Sequence, residues 1–164
     1  MLFNEPPLSQ IAKFLRDIGI TIRSGTVEDK TILPGILVEH GGLVIDEARL
    51  KYPGDILHEA GHLAVVPPDR RNDMHRDVGR DAAEEMMAIA WSYAAALYIG
   101  IDPGIVFHEG GYRGGGASLL DNFQSGHYFA VPMLQWVGMA YEQKKSLEAG
   151  VAPYPHMHRW LRPA

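Results

Sequence analysis

The 164-residue chain contains no cysteine. Neither a disulfide nor a thiolate metal site can form, so any bound metal must rest on His, Asp or Glu, a donor set that favours zinc or another borderline first-row ion. No run of Lys and Arg makes a basic stripe. Fifteen Lys and Arg stand against 20 Asp and Glu, a net charge of −5, and Arg70–Arg71 sit among acids. Nucleic acid is therefore not expected as a partner. No apolar run reaches the roughly 20 residues that span a bilayer. The first residues, MLFNEPPLSQ, lack a basic start and an apolar signal core, so a cytoplasmic location away from the membrane is expected. Repeats, low-complexity tracts and domain boundaries are absent too. A single domain over residues 1–164 is the default, long enough to bury a core without disulfides or structural metals.

What is present is concentrated in residues 54–66, GDILHEAGHLAVV, followed by Pro67 and Pro68. His58, Glu59 and His62 form an HExxH pattern. Residues four apart share a helix face, so both imidazoles can aim at one point with the Glu59 carboxylate beside it. Two neutral imidazoles next to a carboxylate suit a catalytic zinc and its activated water. With 8 His in the chain, the chance expectation for such a pattern is roughly 0.02. Gly54 and Asp55 are expected to supply the turn and N-cap, and the double proline the stop.

In chain order, LSQIAKFLRDI (8–18) has the apolar spacing of an amphipathic helix with Gly19 as its end. Ile20–Arg23 and Ile32–Val38 read as strands separated by the polar turn SGTVEDK. A hairpin over Ile36–Glu39 and Leu43–Asp46 turns on His40, Gly41 and Gly42. These predict a small antiparallel sheet of three strands. DRRNDMHRDVGR reads as a solvated connection or a short irregular helix. Residues 81–99 read as a long helix, apolar almost all round and hence interior. Residues 101–126, rich in glycine, read as a mobile or specially shaped loop. Residues 127–143 read as a further helix burying Val131, Leu134, Trp136, Val137 and Tyr141. Trp160 and Leu161 are expected to anchor the proline-rich tail. The Ala-rich helix leaves room for a homo-oligomer. The fold class expected is α+β, with the HExxH helix packed on the long buried helix.

Catalytic zinc sites usually have three protein ligands. Glu84 and Glu85, 22 and 23 residues beyond His62, open the long helix and are the candidates for the third. Adjacent residues point about 100° apart, so only one can face the metal. Glu85 is preferred, because it shares a strip with Ile89, Ser92 and Ala96; Glu84 lines up with Ala88, Trp91 and Ala95. Acids in a first helical turn also complement the macrodipole without further function. His40 and His75 read as solvent-facing, and His156 and His158 as part of an exposed tail.

HEAGHL at 58–63, with the acidic start of EEMMAIAWSYAAAL, resembles the gluzincin branch of HExxH metallopeptidases, and more narrowly the short ImmA/IrrE-type proteins, over roughly residues 8–100. Met86 and Met87 stand where that family commonly has Ala and Asn. The resemblance implies a zincin-like domain, Zn2+ held by His58, His62 and a Glu, and hydrolysis of a peptide or protein with Glu59 as general base. It also implies a later His or Tyr that stabilises the oxyanion. His127 and Tyr128 are the first candidates, with His108 and Tyr112 behind them. A non-catalytic metal-binding regulatory or interaction module is the alternative, and hydrolysis of a non-peptide amide a third reading.

Overall fold

A computed structural model of the chain describes residues 3–28 and 31–164. The end of the expected polar turn, Asp29 and Lys30, lies outside the described residues. The class is α+β: seven helices and a three-stranded sheet among the described residues. No described helix is long and apolar enough to cross a membrane.

Helix α1 spans Leu8–Ile18 and buries Ile11, Ala12, Phe14 and Leu15. Gly19, at φ 96°, ends it by turning its N–H back onto the Leu15 and Arg16 carbonyls. Strands β1 (Ile22–Ser24), β2 (Ile36–Glu39) and β3 (Gly42–Ile45) follow, in spatial order β1-β3-β2. The sheet is mixed, not antiparallel as expected: β2 and β3 form the hairpin, but β1 and β3 run parallel. The connection after β1 carries the chain past the central position to the far edge. The hairpin then returns β3 into the middle in β1's direction. Leu43, Val44 and Ile45 are buried on both faces, as a central strand with apolar residues in succession should be. His40 and Gly41 make the turn with φ of 46° and 79°, the left-handed pair that a two-residue hairpin needs.

Helix α2 covers Gly54–Ala64. Pro53, not Gly54 or Asp55, occupies its N-cap, and Asp55 lies buried in the first turn. Helix α3 (Pro68–Asp73) is the short helix inside the charged connection. Its Arg71 guanidinium donates to the Leu63, Ala64 and Val66 carbonyls and so caps the C-terminal end of α2. Helix α4 (Ala82–Ile99) is capped by the Asp81 side chain, which accepts from the Glu84 N–H, and is buried continuously from Met87 to Ala96. It packs along α2 where Gly61 meets Ala88.

The expected loop over 101–126 is more ordered than its glycine content suggests. Two 3-10 turns, Pro103–Ile105 and Tyr112–Gly114, lead into helix α5 (Gly116–Gln124), which buries Phe123. The glycines stop at 116, and the following ASLLDNFQ contains no breaker. The single helix expected over 127–143 is instead α6 (Val131–Trp136), an irregular segment, and α7 (Gln143–Ala149). Gly138, at φ 80°, interrupts it. Val131 and Leu134 are buried as expected, but Trp136 is 90% exposed because α6 is too short to carry it inward. Trp160 anchors the tail: it packs edge-on against Phe14 and Trp91, and its carbonyl accepts from the Trp91 indole N–H at 2.9 Å.

Two glycines of α2 allow neighbouring backbone to touch the helix. A Cβ at Gly54 would stand 2.0 Å from the Ile105 carbonyl oxygen, and one at Gly61 2.9 Å from that of Ala88. Inside a helix Ala is ordinarily favoured over Gly by about 1 kcal/mol. Here contact outweighs propensity. Gly54→Ala is expected to cost at least about 2 kcal/mol and Gly61→Ala about 1 kcal/mol, typical of overpacking. Denaturant unfolding would measure both, and a gain in stability at either position would contradict this packing.

Candidate functional site

Four polar residues of α2, Asp55, His58, Glu59 and His62, fall at helical spacings of three and four and face the same way. His58, Glu59 and His62 offer ligand atoms that all lie within 4.8 Å of one another. From α4, the Glu85 carboxylate reaches His62 Nε2 at 2.6 Å and His58 Nε2 at 3.3 Å. The two imidazole rings stand nearly perpendicular, 4.9 Å apart, so their Nε2 atoms converge while the ring bodies do not stack. Glu84 turns the other way. Its carboxylate takes both guanidinium nitrogens of Arg70, at 2.6 and 3.3 Å, and its backbone N–H completes the Asp81 cap. Of the two adjacent acids, Glu85 joins the histidines and Glu84 belongs to the helix start.

The electrostatics separate the carboxylates. Hydrogen bonds from His58 and His62 hold Glu85 far below the usual carboxylate range. Burial pushes Glu59 upward, against the pull of the two histidines. For His58 burial is the largest single influence and acts downward, but the hydrogen bond and charge of Glu85, with Glu59 and Asp55 nearby, leave it raised. Asp55 has its own partner. Its Oδ1 lies 2.6 Å from His108 Nε2, and the His108 ring stacks on Tyr52 at 3.8 Å.

The residues after α4 reach the site differently from the expectation. Tyr112 touches His58, its hydroxyl 3.2 Å from Nδ1. Tyr128 packs instead among Tyr93, Phe123 and Tyr154, with ring centroids 4.8–6.3 Å apart. His127 is exposed at the end of α5, its backbone N–H bonded to the Asn122 carbonyl. Burial raises the Tyr112 hydroxyl well above the ordinary tyrosine value. His40 and His75, assigned to solvent, are exposed and stack on each other at 4.2 Å. The pair Asp55–His108 was missed, although the spacing 55, 58, 59, 62 carried the signal that Asp55 shares the face of the motif.

The histidines open onto a cleft of about 400 Å³. It is lined by β2, through Ile36, Leu37 and Val38, and by the segment Arg76–Arg80. The donor set fits a borderline divalent cation, with two imidazole nitrogens and a carboxylate converging and no thiolate in the chain. Glu85→Gln is expected to weaken retention of zinc by more than about 100-fold, beyond the usual effect of an outer partner. Glu84→Gln should leave it unchanged and cost less than about 1 kcal/mol of stability, as its partner Arg70 is exposed. Metal analysis after dialysis, with thermal melts, reads both; equal zinc loss in the two variants would remove Glu85 from the site. Compared with known proteins, the chain matches no family model, no curated protein and no solved structure.

Proposed function

We propose that the protein is a zinc-dependent hydrolase that cleaves a peptide or protein. The observation that carries the reading is the convergence of His58 Nε2 and His62 Nε2 on the Glu85 carboxylate with Glu59 alongside. The order of elements supports it as well, since an N-terminal helix, a small sheet, the HExxH helix and a following acid-bearing helix are what the resemblance to short gluzincin-like metallopeptidases implies. A zinc ion held by His58, His62 and Glu85 would supply Lewis acidity, lowering the pKa of a water toward about 7 and polarising the scissile carbonyl.

Glu59 draws a proton from water in the cleft and returns it to the departing amine. Its upward shift suits both halves of that task, because a weakly acidic carboxyl accepts a proton readily and still gives it back. Of the three acids around the histidines, Asp55, Glu59 and Glu85, Glu59 is the one available for this. Glu85 is committed to the imidazoles and Asp55 to His108.

A peptide substrate is favoured by the wall of the cleft. β2 is an edge strand. In its antiparallel ladder with β3, Gly35 and Leu37 face the partner strand, so the backbone groups of Ile36 and Val38 point outward. Two of these are used: the Ile36 N–H bonds to Leu33 and the Val38 carbonyl accepts from Arg76 N–H. Among the described residues the Ile36 carbonyl and the Val38 N–H, on either side of Leu37, have no backbone partner and can pair with an extended segment laid along the cleft.

Glu59→Gln is expected to keep zinc bound and to lower kcat by at least about 100-fold, measured on a peptide library or a denatured protein. Wild-type cleavage by this variant would overturn the mechanism. A metal-binding module without catalysis would show no cleavage by either protein. Because the base must be ionised and burial raises its pKa, activity should fall as the pH drops through a value above the ordinary Glu value of about 4.3. An acid limb at or below that value in kcat/KM would argue against Glu59 as the titrating base.

A further inference from the structure

Both imidazoles of the pair have a second nitrogen, and the two are treated differently. His62 Nδ1 is buried with no hydrogen-bond partner among the described residues. His58 Nδ1 meets the Tyr112 hydroxyl. An imidazole that presents Nε2 as a lone pair to a cation carries its ring proton on Nδ1, and for His58 the phenolic oxygen of Tyr112 is the acceptor within reach of that proton.

We infer that Tyr112 is the positioning residue of His58: it holds the Nδ1–H and so keeps Nε2 turned to the cleft. The inference deepens the metal-site reading above and rests on it for its consequence, though not for its geometry. A ligating histidine commonly gives its other ring N–H to an acceptor that fixes ring orientation. Here the acceptor comes from the glycine-rich segment after α4.

That segment is built to deliver this one side chain. Tyr112 and Arg113 both hold left-handed backbone, at φ 53° and 54°, which non-glycine residues adopt only where surrounding contacts enforce it. The enforcing contacts are at hand. His108 is tied to Asp55 of α2 and stacked on Tyr52. A Cβ at Gly110 would stand 2.5 Å from the Tyr52 hydroxyl, and one at Gly116 2.5 Å from the His108 carbonyl. The glycines let the strand of chain lie flat against this anchor. The Tyr112 ring then packs against His58 and Phe107, both at about right angles or steeply inclined.

The test compares wild type with Tyr112→Phe. Two readouts are taken: the His58 ring Nδ1–H resonance in protein with and without zinc, and zinc affinity by chelator competition. Phe keeps the ring and its packing, so an effect of Tyr112→Phe reports the hydroxyl. The wild type should show a slowly exchanging Nδ1–H that Tyr112→Phe loses. Zinc affinity should fall by about 10- to 100-fold in Tyr112→Phe. An unchanged Nδ1–H signal in Tyr112→Phe overturns the inference. If the wild type binds no zinc while Tyr112→Phe still loses the Nδ1–H signal, the positioning role stands and the metal-site reading falls.

Discussion

The site depends on how closely α4 can approach α2. Where the helices touch, Gly61 presents no side chain, and its position is already within 2.9 Å of the Ala88 carbonyl if a Cβ is imagined there. Ala60, Ala64, Ala88, Ala95 and Ala96 are all fully buried, so short side chains continue along the contact. Glu85 lies one turn before Ala88. At this separation its carboxylate spans the remaining gap to both imidazoles. A contact made of Leu or Ile would move the helices apart by more than a carboxylate could follow. The alanine content of α4 is therefore a requirement of the site as much as of the core.

Given that separation, the roles of the acids follow from their partners. Three carboxylates, Asp55, Glu59 and Glu85, surround two histidines that are themselves largely withdrawn from water. Each buried charge needs a counter-group or shifts toward neutrality. Asp55 has His108, and Glu85 has both Nε2 atoms. Glu59 has only the general field of the histidines, too weak to cancel the cost of its burial, and it is raised. Under the hydrolase reading proposed above, the satisfaction of its neighbours is what leaves Glu59 as the proton carrier.

Much of this was legible in the residues. The bounds of α1 coincide with the periodic stretch 8–18, and α4 with the unbroken Ala/Met run, because amphipathic spacing and the absence of breakers act locally. Glu85 was separable from Glu84 by the strip it shares with Ser92, and Arg70 now explains where Glu84 goes. What was not legible depends on contacts distant in sequence. The direction of β1 is set by a connection whose path no short pattern encodes. The glycine-rich segment looked mobile because its order comes from Tyr52 and Asp55, more than fifty residues earlier for the Asp55–His108 pair. Trp136 was assigned to the core by its chemistry, and only the break at Gly138 leaves it outside.

The last third of the chain carries none of the motif, yet it closes the structure around it. The Tyr154 hydroxyl donates to the Ala90 carbonyl at 2.6 Å inside α4, and Trp91 donates to the Trp160 carbonyl. At the other end of α2, the Arg162 N–H bonds to the Ala64 carbonyl while Arg71 bridges Ala64 and Arg162. Tyr112 and His108 approach from the N-terminal side of the motif. Both ends of α2 and the middle of α4 are thus gripped by residues beyond 100. A carboxylate placed on one helix for two imidazoles on another works only if the helices cannot slide. The C-terminal third supplies that restraint, and the β2 side, where no such residues intrude, is left open as the cleft.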